Sequence, residues 1–111
     1  MGATKTDFYS ENQNKLSVIA KALGHPARIA IVDHLLKVDA CICGDIVNEL
    51  PLAQATISQH LRELKNAELI KGTIEGTAIC YCINKTTLNF FANYLSHIGQ
   101  QMDKEKTNCY L

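Results

Sequence analysis

The sequence predicts a mainly α-helical fold with a small β-hairpin, arranged as a winged helix-turn-helix. The first observation is a turn and an amphipathic helix between Leu50 and Ile70, in which Ile57, Leu61 and Leu64 recur at i, i+4 and i+7. The second is the segment that follows, where two β-prone runs flank the turn dipeptide Glu75-Gly76. A helix-turn-helix followed directly by a hairpin is the element order of a winged helix.

Three helices are predicted ahead of this amphipathic helix. Ser10 is the predicted N-cap of the first, whose apolar stripe is Leu16, Ile19, Ala20 and Leu23. Gly24 and Pro26 then separate it from a second helix over residues 27–37, with the inward positions Ile29, Val32, Leu35 and Leu36. Asp45 is the predicted cap of a short third helix, whose core face is Ile46, Val47 and Leu50.

The fourth helix is predicted over about residues 53–66, and a fifth over about residues 86–103. The fifth carries an extended apolar stripe: Leu88, Phe91, Tyr94, Leu95, Ile98 and Met102. Its apolar positions and those of the first helix exceed what one small domain needs, which suggests burial against a second copy. We expect residues 1–111 to form one domain, with flexible ends at 1–9 and 104–111.

Size and charge limit the functions open to this chain. With 111 residues and a formal net charge of zero, it is not expected to coat nucleic acid non-specifically. A sequence-reading protein needs only a local basic patch, so DNA binding remains open. No apolar run is long enough to span a bilayer, and the N-terminal residues lack a secretory signal. We therefore expect a cytoplasmic protein with no membrane partner.

The polar face of the fourth helix is the candidate DNA-reading surface. Gln54, Thr56, Ser58, Gln59 and Arg62 lie largely off the apolar stripe and are of the types that hydrogen-bond base edges and phosphates. Arg62, Lys65 and Lys71 form a local basic patch, which Glu63 and Glu68 weaken. An ordinary solvated helix and a protein-binding winged helix are the alternatives. The interpretation favoured here is a helix that reads double-stranded operator DNA.

Five cysteines indicate thiol chemistry. Cys41 and Cys43 stand at i, i+2 spacing, as do Cys80 and Cys82, whereas Cys109 lies near the C-terminus. A disulfide framework is not expected in a chain of cytosolic character. The second wing run alternates Ile79, Tyr81 and Ile83 with Cys80 and Cys82, which predicts one apolar face and one thiol face. Thiolates bind soft ions, so these cysteines are candidate ligands.

Four stretches, in this order and spacing, resemble the ArsR/SmtB family of small bacterial repressors over about residues 16–100. They are Lys21-Ala-Leu-Gly-His-Pro-Ala-Arg-Ile-Ala-Ile, Cys41-Ile-Cys43, Thr56-Ile-Ser-Gln-His-Leu-Arg-Glu-Leu, and the wing. The resemblance implies a homodimer formed through the first and last helices, in which two recognition helices about one DNA turn apart read a palindromic operator.

The arsenic-sensing branch of that family carries a Cys-x-Cys where this chain has Cys41 and Cys43. The resemblance therefore implies a thiophilic inducer bound there, arsenite or antimonite first, with cadmium or zinc as alternatives and no organic cofactor. Trivalent arsenic takes three sulfurs in a pyramid. Ile46 or Val47 falls where that branch has its third cysteine, so the third ligand stays open between Cys109, Cys80 and Cys82.

The sequence thus predicts a transcriptional repressor that releases its operator when a metal or metalloid ion binds its thiolates. A redox- or persulfide-sensing repressor of the same fold is the alternative. A thiol enzyme is not expected, because no histidine stands at a familiar motif distance from a cysteine. Another branch of the family binds zinc through residues on its last helix. That site is not expected here, because His97 has no partner at the required spacing.

Overall fold

The computed structural model describes residues 8–38, 41–43, 53–75 and 78–104. Within these ranges lie four helices: α1 (Glu11–Ala22), α2 (Pro26–Val38), α3 (Gln54–Asn66) and α4 (Lys85–Lys104). Three strands complete the described part: β1 (Ile42–Cys43), β2 (Ile70–Glu75) and β3 (Ala78–Ile83). The predicted short helix capped by Asp45 lies outside the described residues, as do residues 1–7 and 105–111.

The first helix begins at a capping box. The Ser10 hydroxyl accepts a hydrogen bond from the Gln13 backbone N–H at 3.0 Å, and the Gln13 side chain accepts one from the Ser10 N–H, also at 3.0 Å. Two donors at the helix start are thereby satisfied. On the predicted stripe Ile19 is buried, but Ala20 is exposed and Ala22 takes its place in the core.

The inward face of α2 differs from the prediction. Val32 and Leu35 are buried as expected, but Ile29 and Leu36 are about half exposed. Ile31 is fully buried and supplies the missing core position. The core side of α2 is therefore the stripe of Ile31, Val32 and Leu35, at positions i, i+1 and i+4. Apolar residues occupy two adjacent faces of this helix, so the sequence pattern alone does not show which face is buried.

The amphipathic helix α3 forms where the sequence predicts it, and a left-handed residue ends it. Ile57, Leu61 and Leu64 are all buried. Beyond the C-terminus, Glu68 has a φ of 62°. Its N–H donates to the Lys65 carbonyl at 2.9 Å, and the Leu69 N–H donates to the Leu64 carbonyl at 3.0 Å. This pair of bonds is a Schellman motif, which turns the chain sharply from α3 into β2.

The predicted hairpin is confirmed, and a third strand extends it. The strand order is β1-β3-β2, with both pairs antiparallel. In the β2–β3 ladder Lys71 is opposite Cys82 and Gly72 is opposite Tyr81. In the β1–β3 ladder Ile42 is opposite Tyr81 and Cys43 is opposite Cys80. The Cys-x-Cys segment is therefore part of the wing sheet, which the sequence did not indicate.

One apolar cluster joins α1, α2, α3 and the start of β2. Its buried members include Ile19, Ile31, Leu35, Ile57, Leu64 and Leu69. Tyr81 and Ile83 of β3 pack against this cluster, as the predicted apolar face requires, but Ile79 near the wing tip is about half exposed. Among the described residues, no helix is long and apolar enough to span a membrane.

Much of the apolar stripe on α4 is exposed. Leu88 and Phe91 pack against the core cluster. Tyr94, Leu95 and Met102 are exposed, the last two at 52% and 66%. Val18 on α1 is also about half exposed. Exposed apolar side chains thus occur on both helices predicted to form the dimer interface, and α2 and the wing carry others.

Candidate functional site

The polar face of α3 stands free in solvent. Thr56, Ser58, Gln59 and Arg62 are all exposed, whereas the apolar stripe on the other side of the helix is buried. Gln54 is the first residue of α3, and its side chain lies outside the described part. A rigid helix therefore presents amide, hydroxyl and guanidinium groups outward, which is the arrangement needed to enter a major groove.

Two lysines extend this face toward the wing. Lys65 and Lys71 are both exposed, the first on α3 and the second at the base of β2. The Lys65 ammonium lies beside the wing at Gly72. A methyl group at Gly72 would be 3.6 Å from Lys65 Nζ and 3.3 Å from the Tyr81 ring. The local positive charge predicted from Arg62, Lys65 and Lys71 is therefore carried by exposed side chains, with Glu63 exposed on the same helix.

The sequence analysis did not predict the contact between His60, on the buried side of α3, and His25. His60 is 7% exposed and its ring centroid lies 4.4 Å from that of His25. Arg28 Nε donates to His60 Nδ1 at 3.1 Å, and Arg28 Nη1 donates to the Ala22 carbonyl at 3.3 Å. His25 Nδ1 in turn accepts from the Ala27 N–H at 3.0 Å. Arg28 therefore ties the end of α1 and the start of α2 to the buried side of α3.

The electrostatics of this cluster keep His60 neutral. Burial lowers the pKa of His60 below its ordinary value of 6.5, and the nearby His25 and Arg28 lower it further, while Glu63 opposes them. A neutral ring can accept from Arg28 at Nδ1 only as the Nε2–H tautomer. Protonation of Nδ1 would remove that acceptor and bring another positive charge beside Arg28.

Cys41 and Cys82 are joined by a disulfide, with their Cα atoms 4.4 Å apart. The expectation that these cysteines form no disulfide framework is therefore wrong for this pair. The physical reason is the pairing of β1 with β3, since opposed residues of an antiparallel ladder approach to about 4.5 Å at every second pair. Cys80 is also disulfide-bonded and only 1% exposed, so the predicted thiol face is not a free surface.

The structure thus brings together two of the sequence candidates for thiol chemistry. Cys41 is exposed, Cys82 is half-buried, and the Cα atom of Cys43 lies opposite that of Cys80. Cys109 lies outside the described residues. No group of three His, Cys, Asp or Glu side chains that could hold a metal ion occurs in the part of the chain described. After reduction, however, Cys41 and Cys82 are two adjacent soft donors, which fit a thiophilic ion.

A cavity of about 350 Å³ lies directly beside the Cys41–Cys82 disulfide. Apolar side chains of α2, β3 and α4 form much of its lining: Leu35, Leu36, Ile83 and Leu88. Cys41 and Cys82 line it as well, and Lys85 and Asn89 add polar groups. The sulfur pair is therefore accessible from a space with a predominantly aliphatic wall.

Sequence comparisons show that the chain is similar to known transcriptional regulators. Residues 25–71 match the family described as "Bacterial regulatory protein, arsR family". The chain is 33% identical over 87 residues to the transcriptional repressor SdpR of Bacillus subtilis, covering 78% of this chain and 96% of SdpR. It is 30% identical over 89 residues to the arsenical resistance operon repressor of Staphylococcus xylosus, covering 80% of this chain and 78% of that repressor.

Solved structures share the fold. An ArsR-like transcriptional regulator from Rhodococcus sp. RHA1 superposes with a TM-score of 0.73 at 25% identity, covering 86% of this chain and 89% of the regulator. The homodimeric winged helix-turn-helix domain Mb0332 from Mycobacterium bovis gives a TM-score of 0.63 at 20% identity, with 98% and 100% of the two chains covered. The winged helix-turn-helix fold predicted from the sequence is confirmed.

Proposed function

The chain belongs to the ArsR family of bacterial DNA-binding transcriptional regulators and is not an enzyme, and from this premise we propose an ion-responsive operator switch. In this proposal the chain is a homodimeric repressor that releases double-stranded operator DNA when a thiophilic ion binds its cysteines. Arsenite or antimonite is the proposed inducer. The pairing of Cys41 with Cys82 is the observation that carries the proposal.

Operator reading is assigned to the outward face of α3. Gln54, Thr56, Ser58, Gln59 and Arg62 would contact base edges, and Lys65 and Lys71 would contact the phosphates on either side. The support is the exposure of these side chains, Gln54 excepted, on a helix whose other side is buried. Short polar side chains and a guanidinium on one rigid face match the donor and acceptor pattern of a major groove.

Selection of bound sequences from a random DNA pool, followed by anisotropy titrations, tests this assignment. Gln59→Ala and Arg62→Ala should each weaken binding to the selected site about 5- to 150-fold, the range for one lost base contact. Asn66→Ala, also exposed on α3 but outside the proposed set, is the matched control and should bind as wild type. Wild-type affinity in both test variants would overturn the assignment.

Dimerisation is assigned to α1 and α4. Tyr94, Leu95 and Met102 on α4 and Val18 on α1 are exposed apolar side chains on these two helices. Burying them against a second copy would remove this apolar surface from water and present two α3 helices to one operator.

Cys41, Cys43 and Cys82 are the proposed ligands of the ion. Trivalent arsenic binds three sulfurs, and Cys82 is the candidate third ligand because its Cα atom lies 4.4 Å from that of Cys41. This choice selects Cys82 from the three candidates that the sequence left open, and Cys80 remains the alternative because it is opposite Cys43 in the ladder. The ion would bind the reduced thiols, so the disulfide must first be opened.

A route from the ion to the DNA runs across the wing sheet. Cys82 has Cys41 as its neighbour toward β1 and Lys71 as its neighbour toward β2. Drawing three sulfurs into one pyramid would shift β1 against β3 and change the position of Lys71 and of the wing beside α3. Ion and DNA must then lower each other's affinity by one shared coupling energy, typically about 1–3 kcal/mol.

Operator titrations of protein reduced with a phosphine test this switch. Arsenite should weaken operator binding of the wild type about 5- to 150-fold, as that coupling energy requires. The double variant Cys41→Ser/Cys43→Ser should keep its operator affinity at the arsenite concentration that releases the wild type. Release of this variant at the same concentration would show that the assignment of the ion site is wrong.

A redox switch is the second candidate, and the Cys41–Cys82 disulfide is the observation that favours it. In that case oxidation itself, with loss of two electrons and two protons from the thiols, would change operator affinity. Titrating the operator with oxidised and phosphine-reduced protein separates the two candidates. A large difference without any arsenite supports the redox switch, whereas equal affinities exclude it.

A further inference from the structure

We propose that Ile74 and Ile79, near the tip of the wing, form an apolar wedge that enters the minor groove of the operator and bends it at easily deformed base steps. The partner is the double-stranded DNA that α3 would read, so this inference rests on the proposed function. It is carried by two opposed, exposed isoleucines on the face of the wing that Lys65 of α3 approaches.

One apolar face of the wing continues from the core into solvent. Directly opposed residues of an antiparallel ladder share a face, and every second pair belongs to the same face. Three pairs lie on this face: Ile70 with Ile83, Gly72 with Tyr81, and Ile74 with Ile79. Ile70 is buried, and Tyr81 packs against the core cluster. Ile74 is 79% exposed and Ile79 is 47% exposed, so the last pair of this face lies outside the core.

The two isoleucines form one patch because they are cross-strand partners. A single exposed apolar side chain is ordinary on a protein surface. Directly opposed residues, however, have Cβ atoms only about 4.5–5.5 Å apart, so Ile74 and Ile79 expose one continuous aliphatic surface. Removing that surface from water would favour whatever partner covers it.

The position of the patch points to operator DNA as this partner. Lys65 of α3 reaches the same face of the wing, where a methyl group at Gly72 would be 3.6 Å from its Nζ. A strand rises about 3.4 Å per residue, so Ile74 lies about 7 Å beyond Gly72 along the wing. Lys65 and Lys71 are the proposed phosphate contacts, and the minor groove lies across those phosphates from the major groove. A wing tip that extends past these lysines therefore meets the adjacent minor groove.

Aliphatic side chains would act there through the deformability of DNA, because they have no donor or acceptor with which to read base edges. Apolar wedges in the minor groove separate a base step and kink the duplex by about 20–90° toward the major groove. Pyrimidine–purine steps such as TA deform most easily, whereas A-tracts are stiff. The isoleucine pair would thus select base steps that flank the sequence contacted by α3.

The operator sequence selected from the random pool provides the test. The duplex carries 2-aminopurine at the steps flanking each half-site, since the fluorescence of this base rises when it unstacks. A donor and an acceptor dye at the two ends report the bend. Wild type should raise the fluorescence and bend the duplex by at least about 20°. It should also bind a duplex with flanking TA steps at least about fivefold more tightly than one with flanking A-tracts.

Ile74→Thr isolates the contribution of the apolar side chain. Threonine is also β-branched and suits a strand, but it is shorter and carries a hydroxyl. The variant should bind the selected duplex about tenfold more weakly and lose the fluorescence rise, the bend and the TA preference. Ile74→Leu keeps an apolar wedge and should retain all three. Thr73→Ala, at an exposed site on the opposite face of β2, is the matched control and should retain the bend and the preference.

The outcomes separate the wedge from the function on which it rests. A selected duplex that wild type binds without unstacking or bending would overturn the wedge and leave operator reading by α3 intact. Wild-type bending and step preference in Ile74→Thr would overturn it as well. The same holds if Ile74→Thr bends DNA normally but loses an assembly of wild-type dimers in sedimentation, which would assign the patch to a second copy. A random pool that yields no bound sequence would overturn the proposed function and the wedge together.

Discussion

Arg28 Nε donates a hydrogen bond to His60 Nδ1 across 3.1 Å, and this bond links the start of α2 to the buried side of α3. The same guanidinium donates to the Ala22 carbonyl at the end of α1. One side chain therefore connects three helices beneath the proposed DNA-reading face. The bond requires a neutral His60, so protonation of Nδ1 would break this link between α2 and α3.

Stability should fall in mild acid because of His60. Burial and the neighbouring His25 and Arg28 lower the pKa of His60 below 6.5, so the unfolded chain takes up a proton that the folded chain does not. The free energy of unfolding should be constant above about pH 6.5 with respect to this group. As the pH falls further, this free energy should decrease until the pH reaches the lowered pKa of folded His60, by at most about 1.4 kcal/mol per pH unit.

Denaturant titrations between pH 7.5 and 5 check this dependence. His60→Gln should be less stable at neutral pH, because the buried Arg28 contact is changed, but its stability should fall less steeply with acid. His97→Gln, exposed on α4, should keep the wild-type slope. An unchanged slope in His60→Gln would mean that another group causes the acid sensitivity.

The N-terminal capping box should contribute measurably to stability. Ser10→Ala removes the acceptor for the Gln13 N–H, and the variant should lose about 1 kcal/mol of unfolding free energy. Ser17→Ala is the control, since Ser17 lies within α1 and its hydroxyl donates only to the Asn14 carbonyl. That variant should be neutral or slightly stabilised, because alanine favours the helix. Equal losses in both variants would contradict a specific capping role.

Replacing Glu68 by glycine should stabilise the protein. Glu68 occupies the left-handed region with a φ of 62°, where a side chain costs about 1 kcal/mol or more. Glu68→Gly should therefore raise the unfolding free energy by about 0.5–1 kcal/mol in thermal or denaturant melts. Glu68→Ala removes the same charge but keeps the backbone cost, so it should show no such gain. A gain of equal size in Glu68→Ala would point to the charge instead.

A charge on the exposed stripe of α4 should separate the proposed dimer. Leu95→Glu places a carboxylate where a second copy would bury it, and sedimentation should show a dimer dissociation constant raised at least about 100-fold. Ile74→Glu makes the same change at an exposed site on β2 and should remain dimeric. If Leu95→Glu stays dimeric at wild-type concentrations, the interface lies elsewhere.

Local patterns sufficed to predict most of the elements. The i, i+4, i+7 stripe of Ile57, Leu61 and Leu64 located α3, and Ser10 located the start of α1. These features depend on residues close in sequence, where helix period and capping chemistry act directly. The outward face of α3 followed from the same period, and its exposure agrees with the prediction.

Local sequence patterns could not predict the contacts between segments that are distant in the chain. The pairing of Ile42 with Tyr81 depends on backbone hydrogen bonds between segments about 40 residues apart, and a two-residue strand has no period to detect. The Cys41–Cys82 disulfide follows from that pairing, so it was missed for the same reason. The contact between Arg28 and His60 also joins two helices that the sequence could not orient.

In the proposed switch, the thiols of the wing sheet and the operator-binding face of α3 are energetically coupled through Cys82. The most direct measurement is the operator dissociation constant of phosphine-reduced wild type and Cys82→Ser, each with and without saturating arsenite. Arsenite should weaken operator binding about 5- to 150-fold in the wild type and by less than twofold in Cys82→Ser. An equal loss of operator affinity in both proteins would show that Cys82 does not couple the ion to the operator.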